Sequence, residues 1–394
     1  MKVYITSEYR FSCLPDGTLW TETAFPYSYW ARYLQVFEQV SILARVKQVN
    51  SVQPGWKRVD GNGVNVCSLP DYVGPFQYAL VKNKIKKKIV SILNETAAII
   101  LSVPSPIALI AEKVILKKQL PYGAEVMGDP WEVFSSTGIR HPLRIYFRYA
   151  LTYRMKRQIA GASAISYVTQ KTLQKRYPAF PQAFSVGVSN IDLFPEHLAA
   201  CARTFSREDP VRLISVGSLE QLYKNPDVVL KALALCLKDG INIHLTWIGG
   251  GKFLPELKAL AADLNIQNKV RFLGQVPAGE SIRYQLDEAN LFVLASKTEG
   301  MPRALIEAMA RALPCIGSDV GGISELLEPD EVFLPNSPDL IYRKIKEVTL
   351  NTSRMNEMAQ RNLIKSAAFL KEKLDGKKFD FLQNLKNKTG SALK

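Results

Sequence analysis

Two glutamates, Glu299 and Glu307, flank a stretch of sequence that predicts a strand, a loop and the start of a helix. The apolar run 291–295 predicts the strand, Gly300 lies in the loop, and Pro302 stands where a helix begins. A helix start presents unpaired N–H groups and the positive end of the helix dipole, which together bind phosphate groups. The sequence therefore predicts a phosphate-binding helix start with one carboxylate in the loop and another in the second turn.

The chain around this junction alternates short apolar runs with amphipathic helical patterns, which is typical of an α/β fold with parallel sheets. Runs such as 3–7 and 211–216 predict strands, and the pattern over 302–312 predicts a helix with an apolar face. A second series of these units begins at residue 211, as expected for a second doubly wound domain.

A chain of 394 residues is too long for one core of usual size, so two domains are expected. The polar, charged stretch 201–210 separates the two series of strands and predicts a linker. The predicted division is an N-terminal domain over 1–200, this linker, a C-terminal domain over 211–350, and a helical tail over 351–394 that crosses back to the N-terminal domain.

Positive charge is concentrated in the first half, where residues 1–200 hold 24 Lys and Arg against 13 Asp and Glu, within a net charge of +15. Two basic segments, 81–88 and 140–157, hold 11 of these 24 Lys and Arg, and aromatic residues are interleaved in the second. Basic residues beside aromatics favour peripheral contact with an anionic membrane surface. No nucleic-acid-binding motif accompanies the charge, so nucleic acid is not an expected partner.

The five cysteines are dispersed without paired or zinc-binding spacing, which indicates reduced thiols. The first residues do not resemble a secretory signal, and prolines and charges interrupt the apolar stretch 97–116. We therefore expect a cytoplasmic location, at the inner face of the membrane if the basic segments contact lipid.

The segment 295–325 resembles the donor-binding region of the family 4 retaining glycosyltransferases, which have the GT-B fold. The resemblance is strong over roughly 211–330 and looser over the first 200 residues. It implies two Rossmann-like doubly wound domains facing a central cleft, and transfer of a hexose from a nucleoside-diphosphate sugar with retention of configuration. The matching features are the E-x7-E element at Glu299 and Glu307, the run 310–316 with Ala312 in place of the usual Gly, and the Gly-Gly turn within 319–325.

The family implies a role for each matching donor-side residue. Glu307 would bind the ribose hydroxyls, Glu299 would contact the transferred sugar, and Lys224 would neutralise the leaving diphosphate. Ser218 stands where the family carries an Arg, so another base such as Arg303 would have to compensate. The remaining predicted donor-binding residues are Gly217 beside Ser218, the loop residues Gly300, Met301 and Pro302, and Phe272, Leu273 and Gly274 near the nucleobase.

The N-terminal half supplies the expected acceptor side. Asp16 and Gly17 follow the first strand in a loop where the backbone can approach a ligand. Asp129 is the candidate for activating or orienting the acceptor, although it could instead cap the following turn. Gly128 replaces the His that often precedes this Asp in the family. The pattern resembles bacterial exopolysaccharide and capsule enzymes, which implies a lipid-diphosphate-linked glycan as acceptor.

The sequence contains no Asp-x-Asp pair, so a metal-dependent transferase is disfavoured and no cofactor or required metal is expected. Two alternatives stay open. A nucleotide-sugar epimerase of the same fold would need histidines near the sugar, and the chain has three in all. A basic membrane- or nucleic-acid-binding module would use the charged first half and leave both glutamates as ordinary surface acids.

Overall fold

Short apolar strands and amphipathic helices alternate along the chain, as the sequence predicts. The structure is a computed structural model that describes residues 1–22, 24–93, 97–135, 141–206 and 210–392. The elements of the first 188 residues are β1 (Lys2–Cys13), β2 (Leu19–Thr21), α1 (Tyr27–Ala31), β3 (Gln39–Gln48), β4 (Lys57–Arg58), β5 (Val64–Leu69), α2 (Gly74–Ile92), β6 (Ala98–Val103), α3 (Pro106–Lys117), β7 (Gly123–Val126), α4 (Pro130–Val133), α5 (Arg144–Ala160), β8 (Ala164–Tyr167), α6 (Thr172–Arg176) and β9 (Phe184–Gly187).

The later residues contain a second series of strands and helices followed by a helical tail. A short 3-10 helix, Leu222–Lys224, interrupts the first loop of that series. The elements are β10 (Val211–Val216), α7 (Pro226–Lys238), β11 (Ile243–Ile248), α8 (Leu254–Asp263), β12 (Val270–Gly274), α9 (Glu280–Asp287), β13 (Leu291–Leu294), α10 (Arg303–Ala310), β14 (Cys315–Ser318), α11 (Ile323–Leu326), β15 (Val332–Phe333), α12 (Pro338–Thr349), α13 (Thr352–Ser366) and α14 (Lys371–Ala392).

The chain folds into two compact units that are not simple halves of the sequence. The first unit consists of Met1–Gly128, Leu151–Val188 and Asp375–Lys394, and the second consists of Asp129–Ala150 and Ser189–Leu374. The domain limits given by the sequence analysis stay predictions, and residues 207–209 of the proposed linker lie outside the described residues.

The sheet of the first unit contains the parallel series β5-β3-β1-β6-β7-β8-β9. In addition, β2 pairs antiparallel with the end of β1, and β4 pairs antiparallel with β2. From β1 the later strands are added outward in two directions, first toward β5 on one side and then toward β9 on the other, which is typical of a doubly wound sheet. The strand order reverses between β1 and β6, so a ligand crevice is expected where these two strands end. The strand pairing of β1 shifts register between Thr6 and Arg10, which places Ser7, Glu8 and Tyr9 in an irregular segment at that point.

The second unit repeats the arrangement in a six-stranded parallel sheet, β12-β11-β10-β13-β14-β15. Its order reverses between β10 and β13. All four residues of β13 and of β14 are buried, because helices cover both faces of a parallel sheet. The predicted doubly wound fold is therefore confirmed for each sheet.

The C-terminal helix α14 completes the core of the first unit. Phe381, Leu382 and Leu385 are fully buried in the same cluster as apolar side chains of β1 and β3. A Cβ at Gly123 in β7 would lie 3.0 Å from Leu385 and 3.2 Å from Phe381, so the small residue lets the helix approach the strand. None of the described helices combines the length and apolar character needed to cross a bilayer.

Candidate functional site

The predicted donor residues lie at the point where the strand order of the second sheet reverses. The loop after β10 carries Gly217 and Ser218, and the loop after β13 carries 296–301. Ligands of open α/β sheets bind outside the carboxyl ends of the strands at such a reversal. The fold thus brings two loops together that are about 80 residues apart in sequence, at the position where general fold rules place a ligand.

Lys224 and Glu299 form an ion pair across these two loops, between Nζ and Oε1. Each side chain is 11% exposed, so little water screens the pair. The hydroxyl of Ser296 donates a second hydrogen bond to the same carboxylate oxygen at 2.6 Å. The predicted phosphate-neutralising cation and the predicted sugar-contacting carboxylate are therefore direct neighbours.

Asn225 fixes the position of Lys224. Its backbone has a φ of 53°, in the left-handed region that Asn tolerates. Its buried Nδ2 donates to the carbonyl of Ala295 at 2.8 Å and to Oδ1 of Asn336 at 2.9 Å. The sequence analysis did not identify Asn225, since its partners are 70 and 111 residues away.

The helix start beside this pair differs by a residue from the prediction. We expected a helix over 302–312, but α10 runs over Arg303–Ala310. Pro302 precedes the first helical residue in an extended conformation, and Ala312 has a φ of 52°, which ends the helix early. The N–H groups of the first turn of α10 follow directly on the Gly300 loop, as the phosphate-binding hypothesis requires.

Glu307 lies half-buried in the second turn of α10. No described residue donates a hydrogen bond to its carboxylate, and burial raises its pKa, while the charges of Arg303 and Arg283 act in the opposite direction. A half-buried carboxylate without a protein donor is able to accept two adjacent hydroxyl groups of a ligand. Its role in binding ribose, and compensation by the exposed Arg303 for Ser218, stay predictions.

The Gly321–Gly322 turn shapes the loop that carries Glu299. The N–H of Gly322 donates to the carbonyl of Gly300 at 2.7 Å. Gly321 has a φ of 51°, and a Cβ there would collide with the carbonyl of Glu299. Both glycines are therefore needed for the close approach of the two backbones. Met301 and Pro302 follow this contact directly in sequence.

Glu132, which the sequence analysis did not single out, also contacts this turn. Its Oε1 accepts the N–H of Gly321 at 3.3 Å, and its carboxylate accepts a hydrogen bond from Thr298. Burial is the main cause that raises its pKa, and the nearby charges of Asp319 and Glu299 raise it further. No local sequence signal marks Glu132, because its partners come from residues more than 160 positions later.

The loop that contains Ser218 is held by the glycine-rich turn 249–251. The N–H of Leu219 donates to the carbonyl of Gly250 at 2.8 Å, and the N–H of Gly249 donates to the carbonyl of Gly274 at 2.8 Å. Ser218 itself is exposed, and its hydroxyl accepts the N–H of Glu220 at 3.2 Å. The turn therefore connects the loop after β10 to the carboxyl end of β12. Three residues lie half-buried at that end: Phe272, Leu273 and Gly274.

The predicted acceptor-side residues have structural roles that are visible within their own units. Asp129 is 4% exposed, and its Oδ1 accepts the N–H of Trp131 at 2.9 Å as the cap of α4. The carboxylate of Asp16 accepts the N–H of Thr18 at 2.9 Å in a turn where Gly17 has a φ of 84°. The capping alternative considered for Asp129 is thus present, and the acceptor roles of all three residues stay predictions.

A cavity of about 360 Å³ opens in the first unit at the carboxyl ends of β6 and β7, beside the irregular segment 7–9 of β1. This is the reversal point of the first sheet. Phe25 and Trp30 supply aromatic walls, while Glu8 and Ser105 supply polar groups. The hydroxyl of Ser105 donates to Glu8 at 2.8 Å, and Tyr72 donates to the other carboxylate oxygen. Sequence reasoning missed Glu8, whose partners come from separate elements.

Among the described residues, no group of three or more His, Cys, Asp or Glu side chains could hold a metal ion. The expectation that the reaction needs no metal stays a prediction. The described donor-side geometry consists instead of a lysine, two carboxylates, a helix start and backbone N–H groups, which is a set suited to a phosphate and a polyhydroxyl group.

A family model matches the second half of this chain, and some known proteins resemble it over most of its length. Residues 202–365 match the family model of the Glycosyl transferases group 1. Protein CapJ of Staphylococcus aureus is 25% identical over 341 residues, which cover 86% of this chain and 84% of CapJ. The amylovoran biosynthesis glycosyltransferase AmsK of Erwinia amylovora is 35% identical over 152 residues, or 37% of each chain, so the match spans well under half of AmsK.

The fold also resembles that of Anabaena HepE, solved in complex with UDP, with a TM-score of 0.64 at 14% identity. That likeness covers 97% of this chain and 99% of HepE, so it includes both sheets. The predicted GT-B fold and the predicted family resemblance are confirmed, and the match to the group 1 glycosyltransferase model lies in residues 202–365.

Proposed function

We propose that this protein is a retaining glycosyltransferase that moves a hexose from a nucleoside-diphosphate sugar to a hydroxyl acceptor in bacterial exopolysaccharide synthesis. The observation that carries the proposal is the Lys224–Glu299 ion pair beside the start of α10, with Glu307 one turn further on. The names of AmsK, a biosynthetic glycosyltransferase, and of HepE, solved with UDP, support the same reading.

The proposed chemistry uses these residues as fixed charges. The acceptor hydroxyl attacks the anomeric carbon on the face from which the diphosphate departs, and its proton passes to the leaving phosphate oxygen. Lys224 and the N–H groups at the start of α10 stabilise the negative charge that develops on this oxygen. Glu299 accepts hydrogen bonds from the transferred sugar, and Glu307 accepts them from the ribose. Retention follows because bond breaking and bond forming occur on the same face.

The cavity of the first unit is the proposed acceptor site. Aromatic walls pack on the apolar faces of a sugar ring, and a fixed carboxylate accepts its hydroxyl hydrogens. Phe25, Trp30 and Glu8 provide these groups beside the irregular segment of β1 and the carboxyl end of β6. The glycan that enters is proposed to be linked to a lipid diphosphate, as implied by the resemblance to exopolysaccharide enzymes.

Peripheral contact with an anionic membrane is part of the proposal. On α2, Phe76 is 77% exposed and Leu80 is 67% exposed, one helical turn apart. Lys84 and Lys87 continue along the same exposed side. An apolar stripe that continues into lysines is typical of a helix lying in the headgroup region of an anionic bilayer. Arg140 of the second basic segment lies outside the described residues.

Replacing Glu307 with Gln should weaken donor binding about tenfold to a hundredfold, because a hydroxyl bonds a charged acceptor more strongly than a neutral amide. The measurement is thermal-shift titration with uridine, guanosine and thymidine diphosphate sugars, since a ligand that binds the folded state raises its stability. Glu256→Gln on the exposed surface of α8 is the matched control. Equal affinity in Glu307→Gln and the control would remove the role assigned to Glu307.

Product analysis separates the transferase from the epimerase alternative. With the donor identified by thermal shift, sugar transfer should require a glycan acceptor, and proton NMR should show the product linkage in the anomeric configuration of the donor. An epimerase would change the donor sugar without any acceptor present. Acceptor-independent conversion, or an inverted linkage, would contradict the proposed reaction.

A further inference from the structure

A groove of about 310 Å³ lies between α2, α3 and the second half of α5, all within the first unit. It is separate from the aromatic cavity described above, since the two share no lining residue. Four cations surround it, one from α2, one from α3 and two from α5: Lys82, Lys113, Arg154 and Arg157.

These four cations form no close ion pair with a described side chain. None of them forms a salt bridge or a side-chain hydrogen bond with another described residue, and all four are exposed. Of the described residues that line the groove, one is acidic, Glu112. Burial raises the pKa of Glu112, whereas the charges of Arg157, Lys113 and Arg154 and a hydrogen bond with the side chain of Gln158 act in the opposite direction. The groove is therefore strongly positive, and an anion would offset the repulsion among the four cations.

The floor of the groove is apolar. Leu109 and Ile110 of α3 lie along it, and Leu116 of the same helix remains 51% exposed at one end. A hydrated inorganic anion gains nothing from such a surface, whereas an acyl chain that covers it removes apolar area from water. The combination of cationic rim and apolar floor fits an amphiphile with a negatively charged head.

We propose that this groove binds one anionic phospholipid, with its phosphate among Lys82, Arg154 and Arg157 and the start of an acyl chain on the Leu109–Leu116 floor. The proposal rests on the membrane contact included in the proposed function and makes it specific. The exposed stripe of α2 supplies general attachment, while the groove selects the lipid headgroup. A negatively charged lipid headgroup complements the cations of the groove. Lys82 of the groove also lies on the same helix, α2, as the exposed lysines that face the membrane.

The test uses the full chain and dihexanoyl-phosphatidylglycerol below its micellar concentration, with inorganic phosphate as a separate ligand, in titration calorimetry. Reversing two groove charges, Lys82→Glu with Arg154→Glu, should lower affinity for the short-chain lipid about tenfold or more. The matched control, Lys57→Glu with Lys175→Glu, makes the same change in net charge at exposed positions of the first unit that line neither the groove nor the α2 stripe, and should leave this affinity unchanged. Leu116→Asn should weaken lipid binding and leave phosphate binding as it is.

Equal loss of lipid affinity in the groove and control pairs would overturn the proposal, because diffuse attraction would then explain the binding. Phosphate binding as tight as lipid binding would also overturn it. Circular dichroism and thermal unfolding of each variant show that a loss of binding is not a loss of fold. Sugar transfer to a water-soluble acceptor tests the proposed function separately: a chain that binds the lipid but transfers no sugar supports the groove and contradicts the transferase.

Discussion

At the scale of single residues, Lys224 and Glu299 form one ion pair, although the proposed reaction gives each of them a different role. In the structure each group compensates the charge of the other, with Ser296 as a further donor to the carboxylate. A bound diphosphate would bring negative charge to Lys224, and sugar hydroxyls would bring donors to Glu299. The pair therefore holds two charged side chains at 11% exposure, and in the proposed reaction each of them would also contact the donor.

Lys224→Met should lower kcat/KM by about a hundredfold to a thousandfold, the cost typical of removing one group that stabilises developing charge. Loss of the cation also leaves Glu299 without its ion-pair partner, so the melting temperature should fall. Steady-state kinetics and thermal unfolding measure the two effects. Lys231→Met, on the exposed face of α7, is the matched control and should change neither. Activity within about twofold of wild type would show that Lys224 does not assist departure of the diphosphate.

Sequence reasoning selected the residues whose type and local spacing are distinctive. Glu299 and Glu307 could be found because a strand, a glycine and a proline frame them within a few positions. Asn225, Glu132 and Glu8 could not, because the partners that define them come from elements far away in sequence. No local pattern reports such a contact, since the fold must first bring the two segments together.

At the scale of elements, the sequence predicts the limits of a strand well where the strand is buried. It predicts them less well at the edge of a sheet and in irregular segments. The run 211–216 is a strand with the same limits, β10, because its centre is buried by helices on both faces. The predicted strand 3–7 is shorter than β1, which continues past a register shift to Cys13 by pairing with β3. β9 was not predicted; it is an edge strand with no fully buried residue, so its apolar pattern is weak.

Loop geometry also limited the element-scale prediction. The helix expected over 302–312 loses its last residues because Ala312, where the family usually has Gly, adopts a left-handed conformation that ends the helix. The glycines at 249–251 hold two other loops through backbone hydrogen bonds. A glycine pattern indicates close approach of a backbone, and the structure decides whether the neighbour is a ligand or another loop.

At the scale of the whole molecule, the chain returns to its first unit in the last helix. Lys378 of α14 is fully buried and forms an ion pair with Glu125 of β7. The hydroxyl of Tyr33 donates to the same carboxylate at 2.8 Å. Burial lowers the pKa of Lys378, and the charge of Glu125 opposes that shift. An ion pair of this kind is favourable in only one geometry, so we infer that it fixes the register of α14. The apolar side chains of α14 then supply the free energy of its docking.

Breaking this pair from one side should therefore be costly. Lys378→Met leaves the carboxylate of Glu125 buried without its cation and should destabilise the first unit by about 3–5 kcal/mol, whereas Glu125→Gln with Lys378→Met should recover most of that loss. Urea denaturation combined with amide hydrogen exchange in β7 and α14 reads this unit by itself, because a chain of two units need not unfold in one step. Lys373→Met, exposed on the same helix, controls for the loss of a lysine. If Lys378→Met and Lys373→Met were equally stable, the buried pair would not fix α14, and the apolar contacts of Phe381, Leu382 and Leu385 would suffice.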